Sequence, residues 1–418
     1  MKITVLGGAR EVGRSAFLIE NIEGRVLLDF GVQLTRPPAF PMHIQPRNVD
    51  SILLSHAHLD HSGGIPLFFI SEGTKLYTTG LTLELSQLLI EDFLRISGFY
   101  LPFEYIDLLS MINQTYRLNL NEIVNIKGFT TTFLNSGHLP GAASIILTSK
   151  RKRLLYTGDI NANNSLLLKG ANTNFEELDA VITESTYATT DHLQRNNVER
   201  EFIAFAREVI ERGGTFFVPA FSVGRAQEMA CVFKKYNFPY SVAMDGMALK
   251  TNGILSRYPE YLYDSELFRK SIESIELIRG WNHRRRIVKT PSVIISPAGM
   301  LVGGAAVFYK TEISKRSKNA IALVSYQMPG TPGRTLLEKK IAIINGKPKK
   351  VKAEVRHFDF SSHSGRKELF DMFKGITGDP KVYTVHGEEK NCIQFAEELK
   401  TELGLDAVAP KTGDTYKI

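Results

Sequence analysis

A window of six residues near the start of the chain holds four side chains of the kinds that bind metal ions. The surrounding sequence reads LLSHAHLDHSGG, and the four candidates are His56, His58, Asp60 and His61. Histidine is scarce elsewhere, since the chain has ten in 418 residues. Neutral imidazole and carboxylate groups suit zinc at near-neutral pH. The window therefore predicts a metal site rather than a set of ordinary core histidines.

The spacing within this window predicts two ion positions. Residues two apart in an extended segment point the same way, so His56 and His58 are expected to bind one ion. Asp60 and His61 lie beyond a turn and are expected to bind a second. The apolar run before His56 predicts a buried strand, and the stretch Ser62-Gly63-Gly64 after it predicts the start of a helix.

Three further strand ends supply ligands that a metal pair needs. They are His138 in SGHLPGAAS, Asp159 in YTGDI and His386 in YTVHGEE. The Asp159 carboxylate can bridge both ions, and the full set leaves open positions for water, as hydrolysis requires. Asp29 in LLDFG is a candidate for orienting a ligand histidine through a hydrogen bond. A plain turn aspartate is the alternative interpretation of Asp29.

Composition sets the class of protein. The length of 418 residues allows two domains, and a hydrophobic content of 43% with 23% charged residues is ordinary for a globular chain. The net charge of +7 allows a polyanionic partner. Only two cysteines occur, which excludes a disulfide framework and a cysteine-based zinc site. Neither a signal peptide nor a run long enough to span a bilayer is apparent, so we expect a cytoplasmic protein without membrane association.

The pattern of elements predicts an α/β fold. KITVLGG is typical of a strand, SAFLIENIEGRVLLDFG of a hairpin that turns at Glu23-Gly24, and LTLELSQLLIEDFLRISGF of a packed helix. Further on, short apolar strands alternate with helices, which favours a parallel α/β layer over residues 186–352. We therefore predict a first domain part over 1–185, the second domain over 186–352, and a return to the first domain over 353–418.

The order of the motifs resembles that of a known superfamily. HAHLDH, followed by His138, Asp159 and a late histidine, resembles the metallo-β-lactamase fold. The narrower resemblance is to its β-CASP branch, which processes nucleic acids and carries a second α/β domain inserted in the first. That match is carried by LGGAREVGRS, ITEST, FSSHSG, VHGE, PAFSVGRAQE, SPAGMLVGG and GTPGRTL. Within the branch the chain is most similar to archaeal homologues of the 73-kDa cleavage and polyadenylation specificity factor subunit, and more distantly to RNase J.

The resemblance implies a metallo-β-lactamase αββα sandwich, formed by 1–185 and 353–418, with a parallel α/β β-CASP domain inserted as 186–352. We expect a short form without the N-terminal KH domains that many archaeal relatives carry. RNA affinity is then expected to come from the two domains themselves, from oligomerisation or from a partner. A homodimer and an association with RNA-processing or transcription machinery are our expectations for its assembly.

The resemblance also implies roles for individual residues. It assigns two zinc ions per chain, and the sequence leaves Mn²⁺ open as a substitute. The first ion has the ligands His56, His58, His138 and Asp159, and the second has Asp60, His61, Asp159 and His386. His363 is expected to protonate the departing 3′-oxygen, and Glu184 to orient His363. The residues expected to act in catalysis are thus His363, Glu184, Asp60 and Asp159. A histidine at the position of His386 is typical of members that act on RNA.

Substrate contacts are expected on both domains. Hydroxyl and backbone N–H groups near His363 suit a phosphate, as do the glycine-rich turn of SPAGMLVGG and two arginines. The candidates are Ser361, Ser362, Ser364, Gly299, Arg225 and Arg366. Two basic clusters, 283–286 and 347–352, either track an RNA backbone or are solvated faces.

These interpretations favour a zinc-dependent ribonuclease acting on single-stranded RNA. We expect hydrolysis by water attack, with a 5′-phosphate and a 3′-hydroxyl as products, in an endonuclease mode, a 5′→3′ exonuclease mode or both. The alternatives are a small-molecule hydrolase such as a thioesterase or lactonase, a non-catalytic subunit of an RNA-processing complex, and a DNA nuclease. The intact ligand set argues against the non-catalytic subunit, and the inserted domain with His363 and Glu184 argues against the small-molecule hydrolase.

Overall fold

Two structural units divide the chain in the computed structural model, which describes residues 1–71, 73–97, 100–344 and 346–418. The first unit contains Met1–Asn164, Gly170–Asp191 and Ser362–Ile418. The second contains Ser165–Lys169 and His192–Ser361. The predicted division at 1–185, 186–352 and 353–418 stays a prediction.

Strands and helices alternate along most of the chain. The strands of the described residues are β1 (Lys2–Gly7), β2 (Ala16–Glu20), β3 (Arg25–Leu28), β4 (Ser51–Leu53), β5 (Lys75–Thr79), β6 (Thr115–Leu118), β7 (Ile123–Ile126), β8 (Phe129–Asn135), β9 (Ala143–Ser149), β10 (Lys152–Tyr156), β11 (Ala180–Glu184), β12 (Phe216–Pro219), β13 (Val242–Met244), β14 (Glu276–Leu277), β15 (Val293–Ser296), β16 (Ala320–Leu323), β17 (Ile341–Ile344), β18 (Lys347–Lys350), β19 (Glu354–His357), β20 (Lys381–Val385), β21 (Ala407–Val408) and β22 (Thr415–Lys417).

The helices of the same residues are α1 (Leu59–Ser62), α2 (Gly80–Ile96), α3 (Tyr105–Asn113), α4 (Arg195–Glu211), α5 (Arg225–Lys235), α6 (Met247–Leu255), α7 (Ser265–Glu273), α8 (Gly280–Ile287), α9 (Gly304–Ile313), α10 (Pro332–Lys339), α11 (Arg366–Gly375) and α12 (Glu389–Leu403). Short 3-10 turns lie at Pro46–Asn48, Ile65–Phe69 and Pro259–Tyr261.

The first unit is a sandwich of two seven-stranded sheets. Their strand orders are β22-β1-β2-β3-β4-β5-β6 and β21-β20-β11-β10-β9-β8-β7. Apolar side chains from both sheets, such as Phe17 and Phe133, share one buried core. A second core joins the outer face of the first sheet to α2 and α3, and a third joins the second sheet to α11 and α12. The layers are thus helix, sheet, sheet, helix, which confirms the predicted αββα sandwich.

Local sequence explains the elements near the motif. β2 and β3 pair as an antiparallel hairpin around Glu23-Gly24, as predicted. The predicted strand before His56 is β4, and all three of its residues are buried. The predicted packed helix is α2, whose cap is the Thr79 side chain; the prediction ran on to residues 98 and 99, which lie outside the described residues.

One local prediction was wrong in part. The stretch Ser62-Gly63-Gly64 ends α1, which begins already at Leu59 within the motif itself, and leads into the short 3-10 turn Ile65–Phe69 rather than into an α-helix. A β-carbon on Gly63 would lie 2.4 Å from Val32 and 2.6 Å from the Leu59 carbonyl oxygen. The glycines therefore serve close packing against the loop that follows β3.

The second unit is built on a six-stranded sheet with the order β14-β13-β15-β12-β16-β19. Every pairing in this sheet is parallel. One face packs against a core that includes α4 and α5, and the other against a core that includes α9 and α10. This confirms the predicted parallel α/β layer. β17 and β18 form a separate antiparallel ribbon.

A five-residue segment belongs to this second unit although its sequence neighbours belong to the first. It is Ser165–Lys169. The buried Glu228 carboxylate accepts hydrogen bonds from the backbone N–H groups of Leu166 (3.1 Å) and Leu167 (2.9 Å). The Leu167 carbonyl accepts another from the Tyr263 N–H. Leu167 is fully buried, so the segment is an integral part of that unit.

Among the helices of the described residues, none is both long and apolar enough to cross a membrane.

Candidate metal centre

Most of the predicted metal ligands lie shortly after a strand end, and Asp60 and His61 lie in α1. β3 and β4 pair in parallel, as do β10 with β11 and β11 with β20. The carboxyl ends of parallel strands lie at one edge of a sheet, where α/β folds gather their binding groups. His56 follows β4, Asp159 follows β10 and His386 follows β20. This topology brings residues that are more than 300 positions apart into one cluster.

The structure brings the predicted ligands together in two groups. One group consists of His56, His58, His138 and Asp159, and the other of Asp60, His61 and His386; within each group the ligand atoms lie within 4.8 Å of one another. The motif divides between the groups as its spacing predicts, because α1 begins between His58 and Asp60 and turns the later side chains away.

Asp159 stands between the two groups and presents a different oxygen to each. Its Oδ2 lies 3.5 Å from His56 Nε2 and 3.4 Å from His138 Nε2. Its Oδ1 lies 3.3 Å from His61 Nε2 and 3.5 Å from His386 Nε2. A carboxylate with its two oxygens directed to two sets of imidazole nitrogens has the arrangement of a bridging ligand.

These distances fit metal ions. Tetrahedral zinc with bonds of about 2.0–2.1 Å places neighbouring ligand atoms about 3.3–3.4 Å apart. The His138 Nε2 to His58 Nδ1 distance is 3.2 Å, and the His386 Nε2 to Asp60 Oδ2 distance is 3.7 Å. His56 Nε2, His61 Nε2 and Asp159 Oδ1 are buried and form no hydrogen bond with the described residues. Buried polar atoms normally have partners, so these three atoms fit a site that can hold a cation.

Hydrogen bonds on the far side of the rings orient three of the histidines. His138 Nδ1 donates to the Ser362 carbonyl at 2.9 Å, and His61 Nδ1 donates to Asp29 Oδ2 at 2.7 Å. His386 Nδ1 lies 2.9 Å from Ser15 Oγ. Fixing the proton on Nδ1 leaves the Nε2 lone pair for a metal.

Electrostatics favour the protonation states that metal binding needs. Burial lowers the pKa of His58 to about 4 and holds the pKa values of His56 and His138 well below their ordinary value. Burial would raise the pKa of Asp159, but the surrounding imidazoles, led by that of His386, hold it well below its ordinary value. Neutral imidazoles around an ionised carboxylate are the metal-binding forms.

His61 differs from the other histidines. Burial opposes its charge, but Asp159 and Asp29 raise its pKa well above the ordinary value. Two carboxylates on either side of one imidazole thus demand a positive charge there. A bound metal ion would supply that charge in place of the proton.

Asp29 accepts four hydrogen bonds at the base of the site. Besides His61, its donors are the Ser55 N–H at 2.7 Å, the Ser55 hydroxyl at 2.6 Å and the Tyr156 hydroxyl at 2.7 Å. Its side chain is fully buried. The backbone of Asp29 has a φ of +56°, a conformation that aspartate adopts more readily than most residues. These contacts favour the orienting role of Asp29 over that of a plain turn residue.

The variant Asp29→Asn is expected to weaken metal binding about 10- to 100-fold. In the unchanged protein, four donors share the two carboxylate oxygens of Asp29. The asparagine amide offers these donors only one oxygen, so His61 loses its fixed orientation. A competition titration with a zinc chelator measures the effect. Tyr156→Phe is the matched control, because it removes one donor to Asp29 and leaves the His61 bond in place. Equal zinc affinity in Asp29→Asn and the unchanged protein would contradict the orienting role.

His363 and Glu184 form a pair beside the first ligand group. His363 Nδ1 donates to both Glu184 oxygens, at 2.9 and 2.8 Å, and the Ile160 N–H donates to Glu184 Oε1 at 2.7 Å. The ring of His363 lies 4.5 Å from that of His138. Burial alone would lower the pKa of His363, but the Glu184 carboxylate and the nearby aspartates raise it to about 8. Glu184 and the nearby aspartates therefore favour the imidazolium form of His363.

The same geometry allows a second interpretation of this pair. Ligand atoms of Asp159, Glu184 and His363 also lie within 4.8 Å of one another. The direct hydrogen bond between His363 and Glu184 explains this proximity without an ion. The metal content of a His363 variant separates the two interpretations.

The predicted substrate residues of the first unit have varied surroundings. Ser362 contributes its carbonyl to His138. The Ser364 hydroxyl is buried and accepts a hydrogen bond from the Ala162 N–H at 3.0 Å. Arg366 binds Glu398 and Glu402 of α12 at 3.0 and 2.5 Å. Ser364 and Arg366 thus have structural partners, and their substrate roles stay predictions.

The other three substrate candidates belong to the second unit. Ser361 donates its N–H to Asp359 Oδ1 at 3.4 Å. Arg225 is the buried first residue of α5. The Gly299 carbonyl accepts a hydrogen bond from Gln327 Nε2 at 3.3 Å. Their roles toward a substrate likewise stay predictions.

Sequence reasoning missed three residues of the hydrogen-bond network behind the proposed ligands. They are Ser15, Ser55 and Tyr156. Each lies inside or next to a motif, in EVGRS, LLSHAH and LLYTGD, but hydroxyl groups at these places carry no distinctive spacing. Their partners follow other strands: His386, which bonds Ser15, follows β20, and Asp29, which bonds Ser55 and Tyr156, follows β3.

Comparisons with known protein families agree with this geometry. The model of the metallo-β-lactamase superfamily matches residues 9–204. The Beta-Casp domain model matches residues 226–336. The model described as "Zn-dependent metallo-hydrolase RNA specificity domain" matches residues 348–410.

Similar proteins cover the chain from end to end. It is 38% identical to RNase aCSPSF2 of Saccharolobus solfataricus, over 100% of this chain and 85% of the relative. It is 33% identical to the probable RNase MJ4 of Methanocaldococcus jannaschii, over 100% of both. Transcription termination factor FttA of the same organism is 34% identical over 100% of this chain and 72% of its own length.

A solved structure has the same fold at low sequence identity. It is a protein of unknown function from Enterococcus faecalis V583, with a TM-score of 0.60 and 14% identity over 99% of each chain. The three family models and the full-length similarity to RNase aCSPSF2 place the sequence without ambiguity. The chain belongs to the β-CASP family of metallo-hydrolases, in the group that includes the archaeal CPSF-like ribonucleases.

Proposed function

We propose that the protein is a zinc-dependent ribonuclease that hydrolyses phosphodiester bonds of single-stranded RNA and leaves a 5′-phosphate and a 3′-hydroxyl. One observation carries the proposal. Asp159 directs its two oxygens to two separate groups of ligand atoms, and the His363–Glu184 pair lies beside them. Relatives named as ribonucleases, at 38% and 33% identity, supply the substrate class.

Two zinc ions fit the ligand atoms. One would be held by His56, His58, His138 and Asp159, and the other by Asp60, His61, His386 and Asp159. Such a pair of ions, when bound, lowers the pKa of a water molecule and offsets the negative charge of a phosphoryl group under attack. Mn²⁺ takes similar nitrogen and oxygen ligands and is the proposed substitute.

The exposure of the side chains marks the open side of the site. His56, His61, His138 and Asp159 are buried, whereas the Asp60 and His363 side chains are 29% and 17% exposed. A phosphodiester therefore approaches the ligand groups from the side of Asp60 and His363. This position brings His363 next to the bond that breaks.

His363 is the proposed general acid. Its Nδ1 proton is held by Glu184, so its Nε2 proton is the one available to the departing 3′-oxygen. The Glu184 carboxylate favours the protonated imidazole that this step requires, since it raises the pKa of His363 to about 8. The Ile160 N–H fixes Glu184 in turn.

The mode of cleavage is tested with one RNA labelled at its 5′ end and carrying either a monophosphate or a triphosphate. Early release of a mononucleotide from the monophosphate form alone is the result expected of a 5′→3′ exonuclease. Internal fragments from both forms are the result expected of an endonuclease. The His363→Ala protein is the control for contaminating nucleases. A 2′,3′-cyclic phosphate at the new end would overturn the water mechanism, because the ribose hydroxyl would then be the attacking group.

A role in transcription is the second candidate function. Transcription termination factor FttA shares 34% identity over the whole of this chain, which favours RNA at the transcription machinery as the target. A small-molecule hydrolase is the competing class. Hydrolysis of a generic thioester or lactone without any cleavage of RNA would favour that class.

A further inference from the structure

The second unit carries an exposed aromatic and basic stripe far along the sequence from the metal ligands. We propose that this stripe, defined as Trp281, Arg285 and Lys289, binds a single-stranded stretch of the nucleic acid substrate by stacking a base on Trp281 and pairing its phosphates with the two cations. The proposal deepens the ribonuclease function above and rests on it for the choice of RNA.

Helical geometry places the three side chains on one face. α8 spans Gly280–Ile287, and its last turn continues through Lys289, whose N–H bonds to the Arg286 carbonyl. Residues four apart on a helix are neighbours on its surface. Trp281, Arg285 and Lys289 are four apart in sequence and exposed. With a rise of 1.5 Å per residue, the stripe is about 12 Å long.

Trp281 is held in place from beneath. The Arg284 guanidinium lies 4.8 Å from the centre of its ring, and the Phe308 ring meets it edge-on at 5.5 Å. Even so, the Trp281 side chain is 54% exposed. A rigid, exposed aromatic ring stacks a base at low cost in conformational entropy.

A buried ionic network anchors this support. Asp245, which follows β13, accepts hydrogen bonds from Arg284 Nε at 2.6 Å and Arg284 Nη2 at 3.0 Å. The buried Tyr309 hydroxyl donates to the same carboxylate at 2.6 Å. Arg284 is thus neutralised by Asp245 and serves to support the indole. The surface charge of the stripe comes from other residues.

The remaining charges favour an anionic partner. In the described part of the chain, Arg285 and Lys289 form no ion pair, whereas Arg286 lies 3.8 Å from Glu276, which also binds His283 at 2.8 Å. Uncompensated cations next to an exposed tryptophan are the combination that binds single strands, through phosphate contacts and base stacking. A protein partner would more often meet a larger apolar surface.

Trp281 is the single tryptophan of the chain, so the indole fluorescence reports on the stripe alone. The His363→Ala protein, which is expected not to cleave RNA, is titrated with a 12-nucleotide oligouridylate while the indole fluorescence is recorded. Stacking is expected to quench the fluorescence. The single-stranded oligouridylate should quench it more strongly than an RNA duplex of the same length. Inorganic polyphosphate is the control that offers charge without bases, and it should bind without this quenching. DNA of the same sequence as the RNA tests whether the stripe distinguishes the two sugars.

Variants then separate the contributions. In the same background, with anisotropy of labelled RNA as the readout, Trp281→Ala is expected to weaken binding about 5- to 100-fold. Arg285→Ala should weaken it about 3- to 10-fold and reduce the salt dependence, d log K/d log[salt], by about 0.7. Arg286→Ala is the matched control, since this neighbour lies off the stripe beside Glu276, and it should change neither quantity.

Two outcomes would overturn the stripe without touching the ribonuclease proposal. RNA binding with no quenching would show that the RNA is held elsewhere. Equal RNA affinities of the Trp281→Ala, Arg285→Ala and Arg286→Ala proteins would show that the stripe does not bind RNA, and would favour a protein partner for it. Failure of the ribonuclease proposal has a different signature, because the protein with His363 intact would then cleave no RNA at all when loaded with zinc.

Discussion

Replacing Asp159 with alanine is expected to strip the metal centre and abolish cleavage. The carboxylate is the one group directed to both ligand sets, with an oxygen 3.3–3.5 Å from four different imidazole nitrogens. Without it, each set is left with neutral ligands or a single carboxylate, and the positive charge of two close ions is no longer offset. We expect zinc to fall to trace amounts and the rate of RNA cleavage to fall by a factor on the order of 10³ or more.

Zinc per chain, measured by plasma mass spectrometry after dialysis, tests this expectation together with the cleavage rate. Asp159→Asn is the second variant, because it keeps the shape of the side chain and removes the charge. Asp179→Ala is the matched control, since Asp179 binds Lys152 and the Arg153 N–H at the other end of β10. A fully metallated and active Asp159→Ala protein would eliminate the bridging role.

Replacing His363 with alanine is expected to leave both ions bound and to lower the rate of cleavage by about 10²- to 10⁴-fold. The proton donor is lost, but none of the seven proposed ligands is touched. The loss should be smaller for an RNA analogue whose leaving group needs no proton. The cleavage rate of Glu184→Gln should lie between those of the unchanged protein and His363→Ala. The amide still accepts a hydrogen bond from His363 but no longer favours the imidazolium.

The zinc content of His363→Ala decides between the two interpretations of this residue. Two ions per chain with a low rate support the general acid. A loss of zinc would instead make His363 a ligand, in the group that also contains Asp159 and Glu184. In that case the acid must be sought elsewhere in the site.

The proposed metal ligands stand out in the sequence because their chemistry is rare and their spacing is short. Four ligand-type side chains in a window of six residues shortly after a strand are hard to account for as core residues, and the two-residue spacing of His56 and His58 predicted that they lie in one group. The αββα sandwich followed from the resemblance, and the parallel layer of the second domain followed from strands that alternate with helices. The features that could be predicted from the sequence were thus those that depend on local pattern and on the order of the motifs.

The supporting contacts could not be predicted, because they depend on which strands become neighbours. Ser15 meets His386 across 371 positions, and Tyr156 meets Asp29 across 127. A serine or a tyrosine has many ordinary reasons to be present, so its partner appears only with the fold. The start of α1 was misplaced for a related reason: Gly63 and Gly64 signal a change of direction but not whether a helix starts or ends there.

The segment Ser165–Lys169 has a consequence for the history and handling of this molecule. The second unit has two entry points in the chain, and the shorter one lies before the main insertion. A deletion of residues 192–361 would therefore leave behind a five-residue relic whose leucines, Leu166 and Leu167, had been covered by that unit. The second unit therefore cannot be removed by deleting one continuous segment of the chain. Any minimal catalytic fragment, or any ancestor without the insert, needs a different loop after Asn164.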